Sequence, residues 1–275
     1  MADVLEERVR SIEMCAGLGF VVGAVILSLS LVFYPVLPPA NQTNQILDLI
    51  AKEDVGSWMT LHAFMVLGFL IVSVAFVAFG FLLHLRGSSG PASVVTASAL
   101  IGGGIWASFL SVEFFVTPFI KSYYPLEPGF ATMLFNIVWY WKMGALALAS
   151  TLLFVAVLAA GASATSRGIL PVWLGWGGGL FALVGILIYQ FEFWNSTATG
   201  AAINPMRASG VRFGIGLPLQ LWLIAVGATL LRSYRERMPA LPAQTRTHVP
   251  PKRPSAPREP TFKGPEPPPL PPPIP

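Results

Sequence analysis

Glu113, Lys142 and His62 carry reactive side chains in places where a chain normally avoids them. Glu113 lies in "SVEFFVTPFIK", Lys142 in "NIVWYWKMGALALAS" and His62 in "LHAFMVLGF", each run otherwise almost wholly apolar. A carboxylate, an ammonium and an imidazole drawn together suit a proton- or cation-linked role. Asn136, on the same stretch as Lys142, and Glu192, beside Gln190, complete the candidate ion-pair site. An ionisable group at membrane depth is expected to face protein or water and to have a partner.

Lys142 admits two placements. In one, Trp139 and Tyr140 form an interfacial aromatic belt and the span runs from Trp139 to Ala160. Lys142 then snorkels outward beside the belt, and residues 130–138 cap the bundle. In the other, the helix begins near Phe130 and Lys142 is buried against Glu113. The first asks less of the chain and is preferred. Glu113 has Phe109, Leu110, Phe114 and Phe115 around it, and a carboxylate cannot snorkel as far as a lysine. It pairs with Lys142 or His62, or it carries a proton.

His62 and His84 invite comparison with haem ligands. They stand on one apolar run, about 33 Å apart at helical rise, so they cannot share an iron. Each needs an axial partner from another helix; Met133 or Met143 could serve, but a bare methionine is normally packing. His84, close to Arg86, reads as interfacial. No cofactor is expected. A Gly-rich phosphate loop, a G-x-S-x-G elbow and H-E-x-x-H are all lacking from the sequence, so no catalytic site is expected either.

The elements that must position these residues follow from composition. Of 275 residues, 54% are hydrophobic and only 11% charged, against about 25% charged in soluble domains. The apolar residues fall in long blocks without the two-residue alternation of barrel strands, so a helical multi-pass membrane protein is expected. A single cysteine, Cys15, excludes an intramolecular disulfide, and three histidines offer no zinc pattern. The net charge of +4 sits beside helix ends and in the tail, which membrane orientation explains better than nucleic acid.

Six segments reach the roughly 20 residues that cross a bilayer core: residues 14–36, 58–85, 92–120, 130–160, 169–194 and 213–231. The first has no cleavage pattern after it and reads as a retained helix. Arg8, Arg10, Arg86, Arg167, Arg232, Arg235 and Arg237 fall on one side; Lys52, Lys121, Arg207 and Arg212 fall on the other. That asymmetry places both termini in the cytoplasm. In the first outer loop, "NQILDLIAKE" has the pattern of a short amphipathic surface helix. The N-x-[ST] triplets at Asn41 and Asn195 are read as chance unless the source glycosylates.

Gly19 with Gly23, and Gly175 with Gly179, have the four-residue spacing that lets helix backbones approach, within the bundle or against another subunit. Residues 1–231 form the expected transmembrane domain. Residues 232–275 are basic and proline-rich, ending "GPEPPPLPPPIP", and read as an extended polyproline-type tail. Pro267, Pro268 and Pro271 are its candidates for docking into an aromatic groove of a cytoplasmic partner.

"LHAFMVLGF", "VEFFVTPFI" and "ILPVWLGWGGGLFALVG" together resemble uncharacterised six-helix bacterial integral membrane proteins grouped as a domain of unknown function. The resemblance covers residues 10 to 231. It implies a six-helix bundle in a bacterial inner membrane, and it brings neither an activity nor a site. The functional expectation is an accessory or scaffold subunit of a larger membrane complex. It would meet lipid, other subunits or a second copy, and a tail-binding partner. The alternatives are a small proton- or cation-coupled transporter using Glu113, Lys142 and His62, and, further off, a haem or quinone redox protein.

Overall fold

The computed structural model describes residues 2–34, 43–52, 54–199 and 216–237, together with most of their side chains. Seven helices occur there, with no strand: α1 Ala2–Phe33, α2 Thr43–Lys52, α3 Val55–Leu85, α4 Ser89–Tyr123, α5 Pro128–Ser166, α6 Val172–Thr199 and α7 Leu217–Glu236. Five stretches are long and apolar enough to cross a membrane: Val4–Phe33, Val55–Leu85, Ser89–Tyr123, Gly144–Ser166 and Val172–Phe191. They mark an integral membrane protein. Part of the sixth expected segment, 213–231, falls outside the described residues, as do Asn41 and the tail prolines Pro267, Pro268 and Pro271.

Local chemistry sets the helix ends. Asp54 caps α3 by accepting from the Ser57 backbone N–H at 2.8 Å and its hydroxyl at 3.0 Å. At the other end of α3, Gly87 adopts φ 81°, and the Ser88 N–H donates back to the Leu83 carbonyl at 3.0 Å. This is a Schellman turn, which needs the left-handed conformation that glycine supplies. Gly168, φ 66°, closes α5 in the same way, with Ile169 N–H on the Ala164 carbonyl at 2.8 Å. Arg167 ties the two turns together, donating to the Ser88 hydroxyl at 2.9 Å and the Gly87 carbonyl at 2.7 Å.

The six long helices form a ring. α1 packs on α3 and α7, α3 on α4, α4 on α5, and α5 on α6, while α6 and α7 touch more lightly. There the Trp222 indole N–H donates to the Leu174 carbonyl at 2.9 Å, joining α7 to α6. Phe20, Phe76 and Phe79 sit in the core, Phe20 edge-on to Phe76 with centroids 4.8 Å apart. In lipid such contacts act through close packing rather than through removal of apolar surface from water. The outer surface is apolar too: Val74, Trp173 and Trp176 are each about two-thirds exposed.

The paired glycines serve the ring itself. A Cβ on Gly19 would stand 2.8 Å from Ala75 Cβ, and one on Gly23 would stand 2.7 Å from Val72 Cγ2, so both seat α1 against α3. A Cβ on Gly175 would stand 2.6 Å from the Gly161 carbonyl, and one on Gly179 would stand 3.4 Å from Leu158, seating α6 against α5. The expected surface helix is α2. Its Leu47 is buried with Ile120, Ala131 and Phe135, and its Asp48 accepts from the Tyr124 hydroxyl at 3.0 Å.

Candidate functional site

His62, Glu113 and Lys142 come from α3, α4 and α5, and the fold brings them together at the end of the bundle that carries Tyr34. Lys142 Nζ donates to Glu113 Oε1 at 2.6 Å, with the two side chains only 12% and 11% exposed. This overturns the expected snorkel. α5 is one helix from Pro128 onward, so Lys142 lies well inside it and beside α4, not at a start near Trp139. The Phe109 ring lies 4.9 Å from the ammonium, and Tyr34 is a second polar neighbour of Nζ.

His62 is wholly buried. Its Nδ1 is 2.9 Å from the Trp58 carbonyl oxygen; that oxygen can only accept, so Nδ1 bears a hydrogen. Its Nε2 faces Glu113 Oε2 at 3.4 Å, within ion-pair range but without hydrogen-bond alignment. Neither Nε2 nor Oε2 has a hydrogen-bond partner among the described residues. In the neutral imidazole, Nε2 would turn a lone pair toward a carboxylate oxygen, an unfavourable meeting of two acceptors. One more proton makes the pair attractive.

Two aromatic residues enclose His62 and were missed in the sequence. The Trp58 ring lies 4.4 Å from the imidazole and the Tyr34 ring 5.7 Å. Trp58 is buried, and its Nε1 has no acceptor among the described residues. Trp58 stands four residues before His62, a same-face spacing readable in advance; Tyr34 reaches it only through tertiary packing. Asn136 is half-buried, six residues and about 9 Å of helix from Lys142. Glu192 lies on α6, with its side chain outside the described part; its neighbour Gln190 donates to the Thr151 hydroxyl at 2.7 Å. His84 is exposed, and both nitrogens of His62 face protein groups.

Below the cluster lies a cavity of about 90 Å³ that all six long helices line, through Leu27, Met65, Trp106, Ser150, Tyr189 and Gln220 among others. On three helices the offset agrees. Phe69 lies seven residues from His62, Trp106 seven from Glu113 and Ser150 eight from Lys142, about 10–12 Å at helical rise. The buried Met65, Phe109 and Leu110 form an apolar layer at intermediate positions. Gln220 is 5% exposed, and its Oε1 has no hydrogen-bond partner among the described residues.

A second charged group closes the opposite end. Glu13 of α1, 1% exposed, accepts from Arg237 after α7 at 2.9 Å and lies 3.6 Å from Arg86 after α3. The sequence signal for it was an acid at the start of an apolar run, on the side richest in arginine.

The fold and site define an all-helical integral membrane protein with a carboxylate–ammonium–imidazole cluster buried among three of its helices. Comparison with protein-family models, curated proteins and solved structures finds no match to this chain.

Proposed function

We propose that the protein is a proton-linked carrier of a small solute, spanning a bacterial inner membrane six times with both termini cytoplasmic. The observation that carries this reading is the His62–Glu113 contact. Nδ1 is committed to a carbonyl, and Nε2 and Oε2 face one another at 3.4 Å with no other partner among the described residues. Such a contact changes from repulsive to attractive when one proton arrives. Lys142 balances the carboxylate, so loading the proton changes the cluster's net charge from zero to +1. Burial makes that change strongly felt by neighbouring groups.

The scaffold reading rested on the glycine faces and the tail. Those glycines are occupied by neighbouring helices of the same chain, which leaves the tail as its support. A haem reading finds both His62 nitrogens already turned to protein groups.

The test uses the full chain in liposomes enclosing a pH-sensitive dye. Under an imposed proton gradient and a panel of small carboxylates, amines and neutral solutes, one solute class should speed internal acidification over empty liposomes. His62→Gln should abolish the increment. Rates equal to empty liposomes for every class would refute the carrier.

A further inference from the structure

The cavity below the cluster is lined by residues that the proton contact does not use. We propose that it is a binding site for a small neutral molecule with an N–H or O–H donor on a short apolar body, the donor being received by Gln220 Oε1. Such a site needs no proton at His62, so it stands apart from the carrier reading.

Charge excludes an ion. None of the described residues lining the cavity carries a full charge, and most of the wall is apolar, with Leu27, Leu31, Phe69, Trp106 and Leu153 among it. An ion entering would lose its water with no counter-charge to meet it, which costs far more than a neutral group loses. Gln220 calls for a donor. It is 5% exposed, and its Oε1 has no hydrogen-bond partner among the described residues. A buried acceptor left unmet costs free energy, which a guest's N–H or O–H recovers. The terminal torsion of a glutamine is broad, so the amide can present its oxygen to a guest.

Size limits the guest. The cavity of about 90 Å³ is well under the roughly 150 Å³ of one that takes benzene, which suits a molecule of about four heavy atoms. Water filling the same space would leave many of its hydrogen bonds unmade against the apolar wall, since each water needs two to four polar partners. Ser150 and Tyr189, hydrogen-bond neighbours of one another, bring hydroxyls to the wall. A hydroxyl both donates and accepts, so a guest carbonyl is provided for as well. Tyr189 belongs to α6 and Gln220 to α7, the neighbours of the ring that touch most lightly. A guest enters there with the least packing to break.

Ligand-observed NMR titration of the purified full chain in detergent tests this, with empty micelles as the blank. Acetamide, acetone and acetate share one planar shape of four heavy atoms, and offer an N–H donor, no donor and a charge respectively. Acetamide should bind saturably and about tenfold tighter than acetone, the difference that one buried acceptor left unmet makes. Acetate at pH 8 should not displace it. Gln220→Met, close to glutamine in shape, should bring acetamide down to the acetone level and leave acetone unchanged. Equal affinities for acetamide and acetone, displacement by acetate, or full acetamide affinity in Gln220→Met would each overturn the site. Acetamide binding no better than the micelle blank would leave the cavity to water and overturn it too. Should Gln220→Met fail to fold, the difference between acetamide and acetone on the unaltered chain decides. Acetamide bound at Gln220 beside flat acidification for every solute in liposomes would remove the carrier and keep the site.

Discussion

Glu113 on α4 and Lys142 on α5, 29 residues apart in the chain, meet at 2.6 Å with nearly nine-tenths of each side chain out of solvent reach. Removing one charge should then cost more than removing both. Lys142→Met leaves a buried carboxylate with His62 as its remaining ion-pair neighbour among the described residues and should cost on the order of 3–5 kcal/mol. The double change Glu113→Gln with Lys142→Met should recover most of that. Thermal or denaturant unfolding of the four variants in detergent checks it. Simple addition of the single effects would show the two charges to be uncoupled.

The glycine contacts predict a graded series. Gly23→Ala sets a methyl 2.7 Å from Val72 Cγ2 and 3.1 Å from the Val72 backbone nitrogen, where α3 must shift. A loss of about 1–3 kcal/mol is expected. Gly179→Ala meets only the tip of Leu158 at 3.4 Å, and Gly104→Ala meets nothing within 4 Å; both should be close to neutral. Melting temperatures of the three proteins decide it, and equal losses would place the α1–α3 contact wrongly.

These cases show what a sequence makes legible. Apolar blocks, arginine-rich ends and four-residue glycine spacing are local patterns, so the spans and the close approaches could be read from residues such as Gly19 and Trp58. Lys142 could not be placed the same way. Its fate turned on whether helix formation begins at Pro128 or near Trp139, and the mostly apolar residues 129–138 make both starts acceptable. Tyr34 and Glu13 were missed for a different reason. Each gains its meaning from residues far along the chain, and no local spacing encodes that.

Asp54 gives a pH dependence outside the membrane segments. Hydrogen bonds from the Ser57 N–H and hydroxyl hold its carboxyl below the usual carboxylate range. A lowered folded-state value means that the cap's stabilising effect is fully present above the unfolded value, near 4. It is lost as pH falls through the lower folded value. Asp54→Asn keeps a capping oxygen but cannot titrate. The wild-type advantage over Asp54→Asn in α3 amide-exchange protection should therefore shrink below about pH 4. A constant difference down to pH 2 would contradict the capping account.

At the other end, the two arginines around Glu13 should contribute unequally. Arg237 donates at 2.9 Å and Arg86 stands at 3.6 Å, so Arg237→Ala should lower the melting temperature more than Arg86→Ala. Glu13→Gln should soften both effects, since an amide asks for less compensation than a buried carboxylate. Equal effects of the two arginine changes would remove the clamp.

The Glu13–Arg237 contact spans 224 residues, and this separation bears on how the chain is made. α1 leaves the ribosome first and α7 last. Until α7 inserts, Glu13 lacks its nearest cation, and Gly17 lacks the Gly227 backbone that it packs against. α1 can pack on α3 early, but its face toward α7 is covered only once α7 is made. A chain stalled or cut before Leu217 keeps Arg86 beside Glu13 but lacks the nearer Arg237. The last helix acts as the clasp of biogenesis.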